Sequence, residues 1–504
     1  MRTRPGGASR FVGNTVALTA STVIATVLTL GQMKLLAAHL TLTVFGLFAS
    51  LRGLSLLVSM IAANGFPQVL VRFLPEHAAR GARRAALRIS VLAVLSTGLA
   101  CGVLLLAVAA MRQRFFRDVA GGPDAALLVW FSLTTLAVAL KLVLYGGFNG
   151  LRRFGSQTVL ETVALALQVA WMAVERDSLT ITRLFQITGV TSMLTALVAV
   201  PWFGVRLRSE VEPRAATGVG GSWARYWPAA AGLSVVALAF TDVDRWVLSN
   251  VLALESLSMF HVASRIARLA NRFLALPVLA FQPEVTRVAA QGRDDVVALS
   301  TRAFFKASVL LSVFACVAIV VYSRALILVA ANAAYLGAQT TLWLLAASIP
   351  LSAMSAPLTG VMKALDAVRA ALYCDLAWAG VYVVLLLGLV PRIGLEGTGV
   401  AQLAACAVQL VVAIRLASIR PEAAEMAGAL LKSSLCAVVA LAPAFVLDAV
   451  HAPAALTIVA GGVGVWVYVR LARRARVLSG EERERVRAIL SERGLGPALA
   501  WFVP

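Results

Sequence analysis

The chain has 504 residues, of which 60% are hydrophobic and only 14% charged, and its mean hydropathy is +0.86. Apolar runs long enough to cross a bilayer recur from residue 11 to residue 470, which excludes a soluble globule and also a β-barrel, whose strands would alternate in polarity. The formal net charge of +21 reads as a membrane-topology signal and not as a nucleic-acid surface, because most of it falls in connections on one side of the apolar runs.

The first run, 11–38, is too long for a signal-peptide core and has no small-x-small cleavage site at a sensible distance. It is expected to remain as a span. Further spans are expected at 42–66, 89–111, 125–148, 158–174, 182–205, 226–252, 257–281, 303–323, 337–362, 371–390, 396–416, 432–449 and 453–470. The fold class is therefore an all-α polytopic membrane protein of about 14 transmembrane helices. Assigning Lys and Arg alternately to the two sides puts the large majority with the N-terminus, so both termini are expected in the cytoplasm. The five cysteines (Cys101, Cys316, Cys374, Cys406, Cys436) lie inside apolar runs at no metal-ligand or CxxC spacing. They read as small core residues, and neither a disulfide framework nor a metal site is implied.

Outward connections are short, the longest being "MRQRFFRDVAGGPD" at 111–124. The inward connection "RLRSEVEPRAATGVGGSWARY" (206–226) is Gly-rich and loop-like. It divides an N-terminal lobe (1–205) from a C-terminal lobe (226–416), with 206–225 as a cytoplasmic linker. Internal repetition supports the division: "FLPEHAARGARR" follows the second span and "FQPEVTRVAAQGR" the eighth, while "FNGLRRF" follows the fourth and "LTGVMKAL" the tenth. Pro75 and Pro283, and Gly150 and Gly360, are both about 210 residues apart. An offset of six spans preserves orientation, so two six-helix halves are expected as parallel repeats about an axis along the membrane normal, with a cavity between them. Spans at 432–470 fall outside the repeat. In the basic tail (471–504), Ser479 and Glu482 have capping-box spacing, and Val486, Ile489 and Leu490 form an apolar stripe. That pattern predicts an interfacial helix, with a partner-docking helix as the alternative.

The eighth span carries "VASRIARLANRF" at 262–273. If it is helical, His261, Arg265, Arg268 and Arg272 share one face as a ladder about 17 Å long. Facing lipid, three central arginines would cost roughly 8 to 10 kcal/mol even on the lenient insertion scale, so the ladder must meet a hydrated cavity, counter-charges or both. Salt bridges to the seventh span are the structural alternative: Asp244 reaches a depth similar to Arg265, and Asp242 and Arg245 are spaced i, i+3 along one helix. Asp242 and Asp244 point about 160° apart, and two aspartates against Arg245, Arg265, Arg268 and Arg272 leave positive charge in surplus. Arg52, mid-span in "FASLRGLSLLVS", adds another cation. Lys34 and Lys141 lie within about two turns of span ends and are expected to reach the interface. Glu161 and Glu255 are not placed to neutralise the surplus. A basic cavity predicts an anionic substrate, and the arginine fork suits phosphate.

No Walker A motif, HExxH, nucleophile elbow or paired-carboxylate loop is found in the sequence. The outward loops leave no room for a catalytic domain. The sequence therefore predicts no enzyme and no cofactor.

The basic loop after "GFPQVLVRFLPEHAARG", the "FNGLRRFGSQ" turn, and "TDVDRWVLSNVLALESLSMFHVASRIARLANRFLALPVLAFQPEVTR" over the seventh and eighth spans resemble the polysaccharide transporters (oligosaccharide or O-antigen flippases) of the multidrug/oligosaccharidyl-lipid/polysaccharide (MOP) exporter superfamily. The resemblance implies a two-lobed, V-shaped transporter that moves a polyprenyl-diphosphate-linked oligosaccharide from the inner to the outer leaflet by alternating access, for cell-surface polysaccharide biosynthesis in a bacterial inner membrane. It implies cavity cations that hold the diphosphate, a role Arg52, Arg265, Arg268 and Arg272 would fill. The substrate would be an anionic lipid-linked glycan, with membrane lipids, a glycan polymerase and glycosyltransferases as partners and no nucleic acid. Asp242, Asp244, Arg245 and His261 are left as coupling or structural charges. The family's Gly-rich, Tyr-bearing hairpin tip is replaced here by "VLALESLSMFHV". Two alternatives stand beside this expectation: a cation-coupled multidrug antiporter of the same superfamily, and a non-transporting scaffold for glycan-synthesis enzymes.

Overall fold

The computed structural model describes residues 7–119, 122–151, 153–210, 223–224, 226–228, 230–232, 243–289, 293–365, 367–419, 422–450 and 454–492. Among these residues, the regular structure is all helical. Among the described residues seventeen α-helices have eight residues or more. They are α1 (Gly7–His39), α2 (Leu42–Ala63), α3 (Phe66–Ala79), α4 (Arg83–Ala110), α5 (Ala125–Gly150), α6 (Phe154–Val174), α7 (Ile181–Glu210) and α8 (Val243–Val251), then α9 (Leu254–Ala289), α10 (Asp294–Val321), α11 (Ser323–Ala330), α12 (Gln339–Ala364), α13 (Val368–Ile393), α14 (Glu396–Leu416), α15 (Ala423–Ala449), α16 (Ala454–Arg474) and α17 (Gly480–Glu492). Ten described helices are long and apolar enough to cross a membrane, and the protein is a multi-pass membrane protein.

Local chemistry sets several boundaries. The Thr41 hydroxyl accepts from the backbone N–H of Val44 at the start of α2, and the Asp124 carboxylate accepts from that of Leu127 at 2.6 Å at the start of α5. Each satisfies a donor that the first helical turn leaves open. At the other end of α2, Asn64 adopts a left-handed conformation (φ 44°) and its N–H meets the carbonyls of Met60 and Ile61, a helix stop of the kind asparagine tolerates. The span expected at 42–66 therefore ends here, and the chain starts again as α3. Along α3, Phe66, Val69, Leu70, Phe73, Leu74 and His77 are buried at helical spacing. Pro75 lies in α3 and Pro283 in α9, so the prolines of the two sequence echoes are both in helices.

The chain forms two compact units, one of residues 17–258 and one of residues 259–504 with residues 1–16. The change falls within α9. The expected linker lies largely outside the described residues, at 211–222, but Trp223 within it, and Tyr226 and Trp227 at the start of the expected seventh span, pack against a core that includes Phe66, Phe73 and Phe203, and Trp227 Nε1 donates to the Asn64 carbonyl at 2.8 Å.

In the unit of residues 17–258, α5 is the hub, packed by α2, α3, α4 and α7, with α6 on α7. Its C-terminal glycines explain the close approach of α3, because a Cβ at Gly150 would meet the Leu70 carbonyl oxygen at 2.5 Å. In the other unit α10 packs on α12, α12 on α14, and α13 on α14. Numbered by span, the third packs on the fourth and the ninth on the tenth, and the fourth-sixth and fifth-sixth pairs recur as tenth-twelfth and eleventh-twelfth. That repeated pairing is the structural counterpart of the sequence echoes.

Helices α15 and α16, outside the repeat, pack against each other, and α15 packs on α10. Tyr468 is buried and its hydroxyl donates to the Leu310 carbonyl at 2.8 Å. The capping box at Ser479 and Glu482 forms in both directions: the Ser479 N–H donates to Glu482 Oε2 at 2.8 Å and the Glu482 N–H to Ser479 Oγ at 3.2 Å. Helix α17, expected as an interfacial helix, packs on α10 of its own chain. Lys306 Nζ meets Glu482 Oε1 at 2.8 Å, Arg485 Nε donates to Ser300 Oγ at 2.8 Å, and Val486 is buried.

Candidate functional site: basic residues inside the membrane helices

Two basic sets are present, one in each unit. In the unit of residues 17–258, Arg52 is half-buried on α2 with its guanidinium 5.9 Å from the centre of the Phe48 ring, within cation–π range. The next residue, Gly53, faces Arg245 of α8: a Cβ there would come within 3.3 Å of Arg245 Cδ. Arg245 is therefore laid across α2 beside Arg52, and it is buried, as is Asp244. Asp244 Oδ1 accepts from the backbone N–H of Arg245 at 2.7 Å. Asp242, the expected i, i+3 partner of Arg245, lies outside the described residues.

Lys141 differs from its expected placement. It is half-buried on α5 and donates to Ser192 Oγ of α7 at 3.2 Å, with Arg52 and Glu161 within electrostatic reach. A third cation thus joins the neighbourhood of Arg52, and Glu161, which the sequence reading set aside, supplies a negative charge near it. Lys34 is exposed.

In the unit of residues 259–504 the ladder lies on α9, which is continuous through it. His261 is buried, Arg265 and Arg268 are half-buried, and Arg272 is exposed. At i, i+4, i+7 and i+11 the four share one face, so exposure rises along that face towards the C-terminal half of the helix.

One carboxylate in this unit went unremarked in the sequence. Asp375, on α13, accepts from Gln409 Nε2 of α14 at 3.2 Å, and Ser355 Oγ of α12 donates to Gln409 Oε1 at 3.3 Å. Lys363 is within electrostatic reach of Asp375. The signal was available: a lone acid in "LYCDLAWAG" is an ionisable group inside a span, which by itself marks a candidate site. Among the described residues no group of His, Cys, Asp and Glu could hold a metal ion.

No protein-family model and no curated protein matches the chain. Solved structures share its fold. The lipid II flippase MurJ in an inward closed conformation matches with a TM-score of 0.66 at 14% identity, over 92% of this chain and 98% of the flippase. An inward-facing multidrug resistance MATE family transporter of the MOP superfamily matches at 0.62 and 12%, over 79% and 96%. A MOP superfamily transporter from Pyrococcus furiosus matches at 0.56 and 13%, over 82% and 97%. The protein is thus an all-α, polytopic membrane protein with the fold of MOP-type transporters. At these identities the likeness defines that fold, which flippase and multidrug transporter have in common.

Proposed function

We propose that the protein is a MOP-type flippase of the polysaccharide-transporter branch, moving a polyprenyl-diphosphate-linked oligosaccharide from the inner to the outer leaflet. The observation that carries this reading is the basic face of α9, with Arg265 and Arg268 half-buried and Arg272 exposed one turn beyond. Arg52 and Lys141 extend the same charge sign on α2 and α5. Guanidinium groups grip a diphosphate by paired, charge-assisted hydrogen bonds, and holding an anion away from bulk water strengthens each of them. The polyprenyl tail stays in lipid while the diphosphate and glycan pass through the hydrated path. Alternating access, the bacterial inner membrane and cytoplasmic termini complete the proposal. Glycan polymerase and glycosyltransferases are the proposed partners.

The test is deletion followed by lipid extraction and complementation. Loss of the protein should leave polyprenyl-diphosphate glycan on the cytoplasmic side. Complementation by R265A/R268A/R272A should fail although the variant reaches the membrane. Full rescue by that variant overturns the binding role.

Asp375 supports one second reading, a cation-coupled multidrug antiporter, since a membrane-embedded carboxylate is the group such a cycle needs. Dye efflux that depends on Asp375, together with unchanged glycan lipids in the deletion strain, would favour it.

A further inference from the structure

The corner where α16 meets α17 gathers guanidinium groups beside the face by which α17 docks. The docking face of α17 consists of Glu482, Arg485 and Val486, which engage Lys306, Ser300 and the core. Arg483 and Arg487, at i and i+4, form a neighbouring stripe on the same helix. The turn at Ala475–Leu478 folds this stripe back towards Arg473 in the last turn of α16. The electrostatic neighbours of Arg483 are Arg473 and Arg487, so Arg483 lies within reach of two further cations. Burial and these two like charges push the Arg483 pKa down. Its Nε is buried without a hydrogen-bond partner among the described residues, and no described carboxylate pairs with it. Glu482, one residue away, is taken by Lys306 and by the capping box.

The level of this cluster in the membrane is marked by its own helix. One turn before Arg473, the Arg470 guanidinium stacks 4.9 Å from the centre of the Trp466 ring, and Trp466 is exposed. Exposed tryptophans with neighbouring arginines collect at the membrane interface. Seven residues of helix separate Trp466 from Arg473, about 10 Å, which is the distance from the edge of the hydrocarbon into the headgroup layer.

We propose that Arg473, Arg483 and Arg487 form a binding site for a phosphate group, supplied by the phosphodiester headgroup of an anionic lipid at the cytoplasmic end of α16. A phosphodiester brings acceptor oxygens to the guanidinium forks and relieves their mutual repulsion. The site stands on helices outside the six-helix repeats and does not depend on the cargo reading.

The experiment uses the full-length protein in detergent, titrated separately with phosphatidylglycerol, phosphatidylcholine and inorganic phosphate, with lipid retention followed by native mass spectrometry and stability by thermal melting. Phosphatidylglycerol should be retained over phosphatidylcholine, and R473Q/R483Q/R487Q should lower that preference roughly tenfold or more, given the attraction of each basic residue to anionic lipid. The variant R473K/R483K/R487K separates folding from binding: it should melt like the wild type without lipid and keep part of the preference. If the glutamine triple fails to fold, the single variant R483Q carries the test and should weaken retention measurably. Equal retention of phosphatidylglycerol by wild type and variants overturns the site. Stabilisation by inorganic phosphate as large as that by phosphatidylglycerol overturns the lipid headgroup as its source.

Discussion

The hydroxyl of Thr43, in the first turn of α2, donates to the carboxylate of Glu255, in the first turn of α9 and 212 residues further along the chain. This bond ties the hairpin tip between α8 and α9 to the start of α2, and it holds the Glu255 carboxyl below its ordinary value of 4.5. A carboxyl lowered in the folded state adds stability that is present above the unfolded value and is lost as the pH falls through the folded one. In Thr43→Val the donor is gone, so the fall in melting temperature between pH 6 and pH 4 (about two units around the carboxyl value) should be shallower than in the wild type.

The same junction is close-packed at Gly46, where a Cβ would overlap the carbonyl of Leu254. The obstructing atoms are backbone and cannot rotate away. Gly46→Val should destabilise the protein by about 1–3 kcal/mol, the usual cost of overpacking, read as a lowered melting temperature in detergent. A normal melt would show that the tip is free to move.

His77 is buried on α3 beside Phe73, with ring centroids 6.4 Å apart, and its Nδ1 has no hydrogen-bond partner among the described residues. Burial lowers its pKa below 6.5. The neutral ring is the folded form, so this stability is complete above 6.5 and drains away as the pH falls from there through the lowered value. Wild-type protein should lose thermal stability in mildly acid buffer, and His77→Leu should lose less over the same range.

Lys306 and Glu482 form a largely buried pair, with side chains 16% and 6% exposed, and the half-exposed Glu425 lies farther from the same ammonium at 3.9 Å. Removing one partner of such a pair leaves a buried charge, at a cost of about 3–5 kcal/mol, whereas replacing both with apolar groups is often neutral. Lys306→Met and Glu482→Met should each release α17, seen as faster hydrogen exchange over 480–492. The double variant should restore protection, and exchange that stays fast in the double variant would assign the docking to the capping box and Val486 instead.

Gln409 bridges Ser355 and Asp375, joining α12, α13 and α14 at one point. Gln409→Leu removes both bonds and leaves the Asp375 carboxylate without that donor, which should cost about 1–3 kcal/mol in a melting experiment. Gln409→Glu should be worse, because it sets a second carboxylate against Asp375.

The sequence displayed most of the helices, because a membrane span writes itself locally as an unbroken apolar run. The helical face shared by His261, Arg265, Arg268 and Arg272 followed from spacing alone. Asn64 was legible in principle, since its left-handed turn before Gly65 and Pro67 ends α2 and starts α3, but the apolar residues beyond it hid the break. What the sequence could not show are the partners of long side chains. Lys141 has a stem long enough to reach either the interface or Ser192, and only the packing of α5 on α7 decides between them. Lys306 and Glu482 are 176 residues apart, so nothing local announces that the tail helix belongs against α10.

The docking of α17 also has a consequence for how the protein is made. Lys306 is synthesised within α10 long before Glu482 exists, and the ribosome must add α11 to α16 before Glu482 can reach it. Until then the Lys306 ammonium has only the more distant Glu425 of α15, at 3.9 Å, as a carboxylate partner, and the apolar strip where Val486 will sit is bare. Helix α17 thus acts as the closing clasp of its unit, and a tag or fusion joined close behind Glu492 would be attached directly to that clasp.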